Sequence, residues 1–151
     1  MVDQADWDSI SIMFKKLDES PGNYMKSVIY KWSKALEAIL NDLDITATQL
    51  ELLAAVATLM KDGKPVTQQD ISTFTRKDKN TVSGVMRTLE ANGLVTRSNS
   101  KDDLRSKYII ITDDGFSMVK KALAEVLVID EQFFPNAKEN AELKRLLKKH
   151  I

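Results

Sequence analysis

The sequence predicts a mainly helical fold with a small β-wing: a winged helix-turn-helix flanked on both sides by further helices. Three observations carry that expectation. Two helix starts follow one another with only Arg76-Lys77 between the first helix and the cap of the second. The second helix reaches a glycine stop at Gly93, after which the apolar spacing changes from helical to strand-like. A polar loop with basic residues near its tip then separates two short strand candidates.

From the N-terminus, Trp7, Ile10, Phe14 and Leu17 recur at three- and four-residue steps, one apolar stripe of a helix. Ser20-Pro21-Gly22-Asn23 interrupts it. Met25, Ile29, Trp32, Leu36, Ile39 and Leu43 then form a long regular seam, which fits a helix on its own core and a helix paired with another equally well. Thr46-Ala47-Thr48-Gln49 is a capping box with Ile45 and Leu50 as its hydrophobic staple, and Gly63 and Pro65 close the helix it opens. Thr67-Gln68-Gln69-Asp70 repeats the scheme with Asp in place of Glu or Gln, stapled by Val66 and Ile71, and that short helix ends near Thr75.

Asp78 caps the next helix, whose stripe is Val82, Val85, Met86 and Leu89. Gly93 is its left-handed stop, and Leu94 falls where a Schellman turn returns it to Leu89. Val95-Thr96-Arg97 reads as a short strand and Lys107–Thr112 as a second, with the loop from Ser98 to Ser106 between them. Thr112-Asp113-Asp114 opens a long helix with Phe116, Val119, Leu123, Val126, Leu127 and Phe133 on one side. Pro135 ends it, and Asn136 caps a last helix carrying Leu143, Leu146, Leu147 and Ile151.

Composition narrows the function. The 151 residues suit one domain, and 43% apolar with 29% charged residues is ordinary for a globular chain. Without cysteine there is no thiol chemistry, and the single His150 excludes a multi-histidine metal site within one chain. The acidic start lacks the pattern of a signal peptide and no apolar run approaches the ~18–20 residues of a membrane span, so the expected location is the cytoplasm. No phosphate loop and no nucleophile–base arrangement points to catalysis. Net charge is zero, but residues 61–107 hold ten Lys/Arg against six Asp/Glu, while residues 1–60 hold five against nine. A basic middle segment can meet an anionic polymer on its own.

From about Thr46 to Gly115 the chain resembles the MarR (multiple-antibiotic-resistance repressor) family of winged-helix regulators. The resemblance rests on Asp78-Lys79-Asn80-Thr81-Val82-Ser83, the exit Leu89-Glu90-Ala91-Asn92-Gly93-Leu94-Val95, the wing Asp103-Leu104-Arg105, and Thr112-Asp113-Asp114-Gly115. Arg76 and Lys77 depart from it, standing where relatives often have a glycine and an apolar residue. The resemblance implies a homodimeric transcriptional regulator, a repressor of nearby genes, that binds double-stranded DNA at a pseudo-palindromic operator. It also implies dimerisation helices in residues 1–45 and 113–151 around a DNA-binding region in 46–112. The helix from Asp78 would enter the major groove, with Lys79, Asn80, Thr81, Ser83, Gly84 and Arg87 as its contact residues. In the wing, Arg105 would reach the minor groove, oriented by Asp103.

Spacing supports this independently, because Asn80, Ser83, Gly84 and Arg87 fall at i, i+3, i+4 and i+7, opposite the apolar stripe. Arg87 suits guanine and Asn80 adenine. Gly84 serves either a close approach to DNA or tight packing on a neighbouring helix. Lys77, Lys79, Arg97, Lys101 and Lys107 are candidates for phosphate contacts. The resemblance further implies a small aromatic or lipophilic effector between the dimerisation helices and the winged region. Tyr24, Tyr30, Trp32 and Phe74 could line such a crevice, but aromatics at helical spacing read first as core. No cofactor or metal is expected. The alternative function is a winged-helix protein-interaction module without specific DNA binding.

Overall fold

The computed structural model describes residues 2–99 and 107–151, so Lys101, Asp103 and Arg105 of the wing lie outside the described residues. Local capping chemistry sets the helix starts. Asp3, Ser20, Thr46, Thr67, Asp78, Thr112 and Asn136 each accept a first-turn amide hydrogen that would otherwise lack a partner. They open α1 (Gln4–Asp18), α2 (Pro21–Asp42), α3 (Ala47–Leu59), α4 (Gln68–Thr75), α5 (Lys79–Ala91), α6 (Asp113–Phe133) and α7 (Ala137–Leu147). Both Thr boxes close fully: the Thr46 amide donates to Gln49 Oε1 at 2.9 Å, and the Thr67 amide to Asp70 Oδ2 at 2.9 Å. The shorter Asp side chain is sufficient.

The wing is a hairpin of β2 (Val95–Asn99) and β3 (Lys107–Ile111), in register from Val95 opposite Ile111 to Asn99 opposite Lys107. A third strand, β1 (Val66–Thr67), not expected from the sequence, pairs with the other side of β3 through Val66 and Ile109. Two residues are too few to show a period, and Val66 announced itself only as part of a staple.

At the exit of α5 the Schellman turn forms as expected. Leu94 N–H donates to the Leu89 carbonyl and Gly93 N–H to that of Glu90, each at 2.9 Å, with Gly93 at φ 74°. The start of α6 is laced to this turn: Thr112 N–H donates to the Leu94 carbonyl (3.1 Å) and its hydroxyl to that of Gly93 (2.7 Å). Gly115 follows from the same closeness. A Cβ there would overlap the Leu94 carbonyl and stand 2.9 Å from Ile111 Cγ1.

The core gathers under the winged region. Leu52, Leu53 and Val56 of α3, Ile71 of α4, Val82, Met86 and Leu89 of α5, Val95 and Ile109 are fully buried, joined by Leu40 of α2 and by Ala122 and Ile129 of α6. Burying a large apolar side chain contributes about 1.5–3 kcal/mol, so α5 is held on one side by its three buried side chains.

The outer helices behave differently. No residue of α1 is buried, and Trp7, Phe14 and Leu17 are each more than half exposed. In α2 the seam divides, with Leu36 buried but Met25 and Ile29 exposed, and the other buried residue, Leu40, lies beside the seam rather than in it. The single stripe expected for α6 is two faces. Gly115, Val119, Ala122 and Ile129 meet the core, whereas Phe116, Leu123 and Leu127 are exposed roughly a third of a turn away. Tyr24, Tyr30 and Phe74 are likewise more than half exposed, so within this chain they are not core aromatics. Trp32 does pack against the core, but its indole N–H is buried without a partner.

Candidate nucleic-acid interface

The site is built on α5, which Asp78 fixes at its first turn. Asp78 Oδ1 accepts the Thr81 amide hydrogen at 2.9 Å, and the Thr81 hydroxyl donates to Oδ2 at 2.5 Å. The hydroxyl and then the amide of Thr81 hold the Asp78 carboxyl below the ordinary carboxylate range. The hydroxyl hydrogen of Thr81 is thereby committed to the cap.

Beyond the cap, helical geometry separates two faces. Val82, Met86 and Leu89 are fully buried. Asn80 and Arg87 are exposed, and Ser83 and Gly84 between them are half-buried. The four residues that the spacing puts on one face therefore share one strip, with exposed Lys79 at its N-terminal end. A Cβ on Gly84 would meet nothing within 4 Å. Among the described residues no neighbouring helix requires the glycine, which removes the packing explanation there and leaves open space on its outer side.

The basic residues divide by their partners. Lys77 Nζ lies 3.0 Å from Glu51 Oε2, so the turn between α4 and α5 is tied back to α3. Arg97 Nε donates to Glu90 Oε2 at 2.6 Å, and its Nη2 approaches the same oxygen. Arg97, foremost, holds the Glu90 carboxyl below its ordinary range, with a smaller contribution from Lys107. Helical or strand spacing does not reveal this pair, since its members sit on different elements. Lys79, Arg87 and Lys107 are exposed and have no carboxylate within ion-pair distance among the described residues. No group of three or more His, Asp or Glu able to hold a metal ion occurs among the described residues.

Comparison with known proteins decides what kind of molecule carries this strip. The MarR family profile matches residues 45–107, which run from the staple before α3 into the wing. The Bacillus subtilis (strain 168) protein named uncharacterized HTH-type transcriptional regulator YdcH is 33% identical over 139 residues, covering 89% of this chain and 95% of its own. The chain belongs to the MarR family. It is accordingly a DNA-binding transcriptional regulator and not an enzyme. Solved structures agree on the fold. A Staphylococcus aureus MepR–DNA complex is similar with a TM-score of 0.76 at 24% identity, covering 87% of this chain and 96% of that one. Bordetella bronchiseptica BpsR, whose structure concerns regulation of DNA binding by 6-hydroxynicotinic acid, gives 0.73 at 24% identity, covering 88% and 94%. No single helix among the described residues of this MarR-family chain is long and apolar enough to cross a membrane.

Proposed function

We propose that this regulator is a homodimeric, ligand-responsive repressor that lays α5 of each protomer into the major groove of a pseudo-palindromic operator. The observation that carries the reading is the strip of exposed Asn80 and Arg87, with half-buried Ser83 and Gly84 between them, on a helix whose Val82, Met86 and Leu89 are fully buried. Arg87 donates to guanine and Asn80 to adenine, each good pair contributing about 1–3 kcal/mol of discrimination. Ser83 and Gly84 keep the strip low, so the helix can sit deep. Thr81 offers its hydroxyl oxygen as an acceptor, and Lys79 and Lys107 neutralise phosphates. Arg105, oriented by Asp103, extends contact into the minor groove, where a guanidinium meets enhanced negative potential, and Lys101 neutralises a phosphate.

Dimerisation belongs to residues 1–45 and 113–151. The exposed apolar faces of α1, the first half of α2 and α6 support this, because an isolated helix such as α1 needs a partner to remain ordered in water. The effector is a small aromatic or lipophilic molecule. The named ligand of the similar Bordetella protein supports that reading, whereas the open groove lined by Leu59, Pro65, Val66 and Phe74 lies within the winged region and takes no lining residue from the outer helices among the described residues. Such a repressor acts in the cytoplasm.

Fluorescence anisotropy with a duplex from the upstream intergenic region, against a scrambled duplex at low and moderate salt, tests the reading. Wild type should prefer the upstream duplex. Arg87→Ala and Arg105→Ala should each lose about 1–3 kcal/mol of that preference while remaining dimeric. No binding at low salt with the fold intact would contradict it and favour a protein-interaction module.

A further inference from the structure

We infer that the Glu90–Arg97 pair is a positioning device, fixing the wing at the angle to α5 at which both can engage one duplex. Arg97 is then not a phosphate contact. The inference rests on the DNA-binding reading above and changes the role of one of its residues.

Three features of the pair support it. The first is location: Glu90 stands in the last turn of α5 and Arg97 is the third residue of β2, so the pair spans the glycine turn from the reading helix to the wing. The second is the face of the sheet that Arg97 occupies. Residues directly opposite in an antiparallel pair share a face, and Arg97 lies opposite Ile109, which is fully buried. With Val95 it points inward, and its side chain is only 16% exposed. A guanidinium withdrawn from solvent, with two of its nitrogens on one carboxylate oxygen, is poorly presented to a phosphate.

The third feature is leverage. Toward the tip from this point, Ser98, Asn99 and Lys107 are exposed and Tyr108 is half-buried. The pair therefore sits where the hairpin leaves the core, and a small rotation there moves the tip through a larger arc. Charge makes the arrangement specific. An unpaired Glu90 on the reading helix would repel DNA; paired with Arg97, and with Lys107 near it, its charge is balanced.

The two roles for Arg97 predict opposite signs for one substitution. Glu90→Gln removes a negative charge and releases Arg97, so a phosphate-contact role requires operator binding to tighten. A positioning role requires it to weaken, by about tenfold, with a shallower salt dependence as wing contacts are lost. It also requires Arg105→Ala to cost much less in the Glu90→Gln background than in wild type. Arg97→Lys, which keeps the charge but not the two-nitrogen contact, should weaken binding as well, and it decides the matter should Glu90→Gln fail to fold. Tighter or unchanged binding by these variants, or additivity with Arg105→Ala, would overturn the inference while leaving a wild type that needs Arg87 as the proposed regulator. A wild type that binds no DNA would remove both.

Discussion

Two glycines show how differently one residue type can be used. Gly115 is required by contact, since a Cβ would enter the space of the Leu94 carbonyl. Gly84 is required by no contact among the described residues. Gly115→Ala should therefore destabilise the fold by about 1–3 kcal/mol, through overpacking against backbone that cannot yield. Gly84→Ala should do the reverse, raising stability by about 1 kcal/mol through helix propensity while weakening operator binding. Urea denaturation beside anisotropy reads both quantities, and a Gly84→Ala protein that is more stable and binds as well would show that DNA does not approach there. The sequence marked both glycines, one in a helix start and one in a helix interior. It could not say which was crowded, because crowding is set by residues distant in the chain.

At the scale of elements, what was local was legible. Every N-cap named in advance, from Thr46 to Asn136, stands where its helix begins, because a cap needs only its own first turn. β1 was missed, since its pairing with β3 spans some forty residues of chain and two residues show no period. The burial of α6 was misread for a related reason: an arc of apolar residues wider than one contact does not reveal which part the core will take. The cap of the reading helix carries a pH dependence of known sign. Thr81 depresses the Asp78 carboxyl in the folded state, so the unfolded chain binds more protons just below the ordinary carboxylate range. Stability from this group is full above that range and is lost as pH falls through the folded value. Asp78→Asn, which can still cap, should flatten the acid-side fall in melting temperature without changing stability greatly at neutral pH. An unchanged acid profile would count against the cap as a source of that dependence.

For the whole molecule, the zero net charge and the exposed apolar faces are two sides of one arrangement. The basic excess is confined to the segment that carries α5 and the wing, and, Phe74 and Ile110 aside, the large apolar side chains left uncovered among the described residues lie toward the two ends of the chain. Large exposed apolar faces on a soluble chain mark contact surfaces. A two-fold pair of copies that covers them would present two reading helices on one side. The regularity of the α2 seam hinted at this, but only the division into buried Leu36 and exposed Met25 and Ile29 separates the part used within the chain from the part left over. The central claim is therefore geometric: two copies of α5, each in a major groove, one helical turn apart.

Methylation protection at guanine N7 on the preferred duplex tests that claim most directly, because N7 lies in the major groove. Two protected patches are expected on one face of the duplex, centred about 10–10.5 base pairs apart, and both lost in Arg87→Ala. A single patch, or protection that survives Arg87→Ala unchanged, would contradict it.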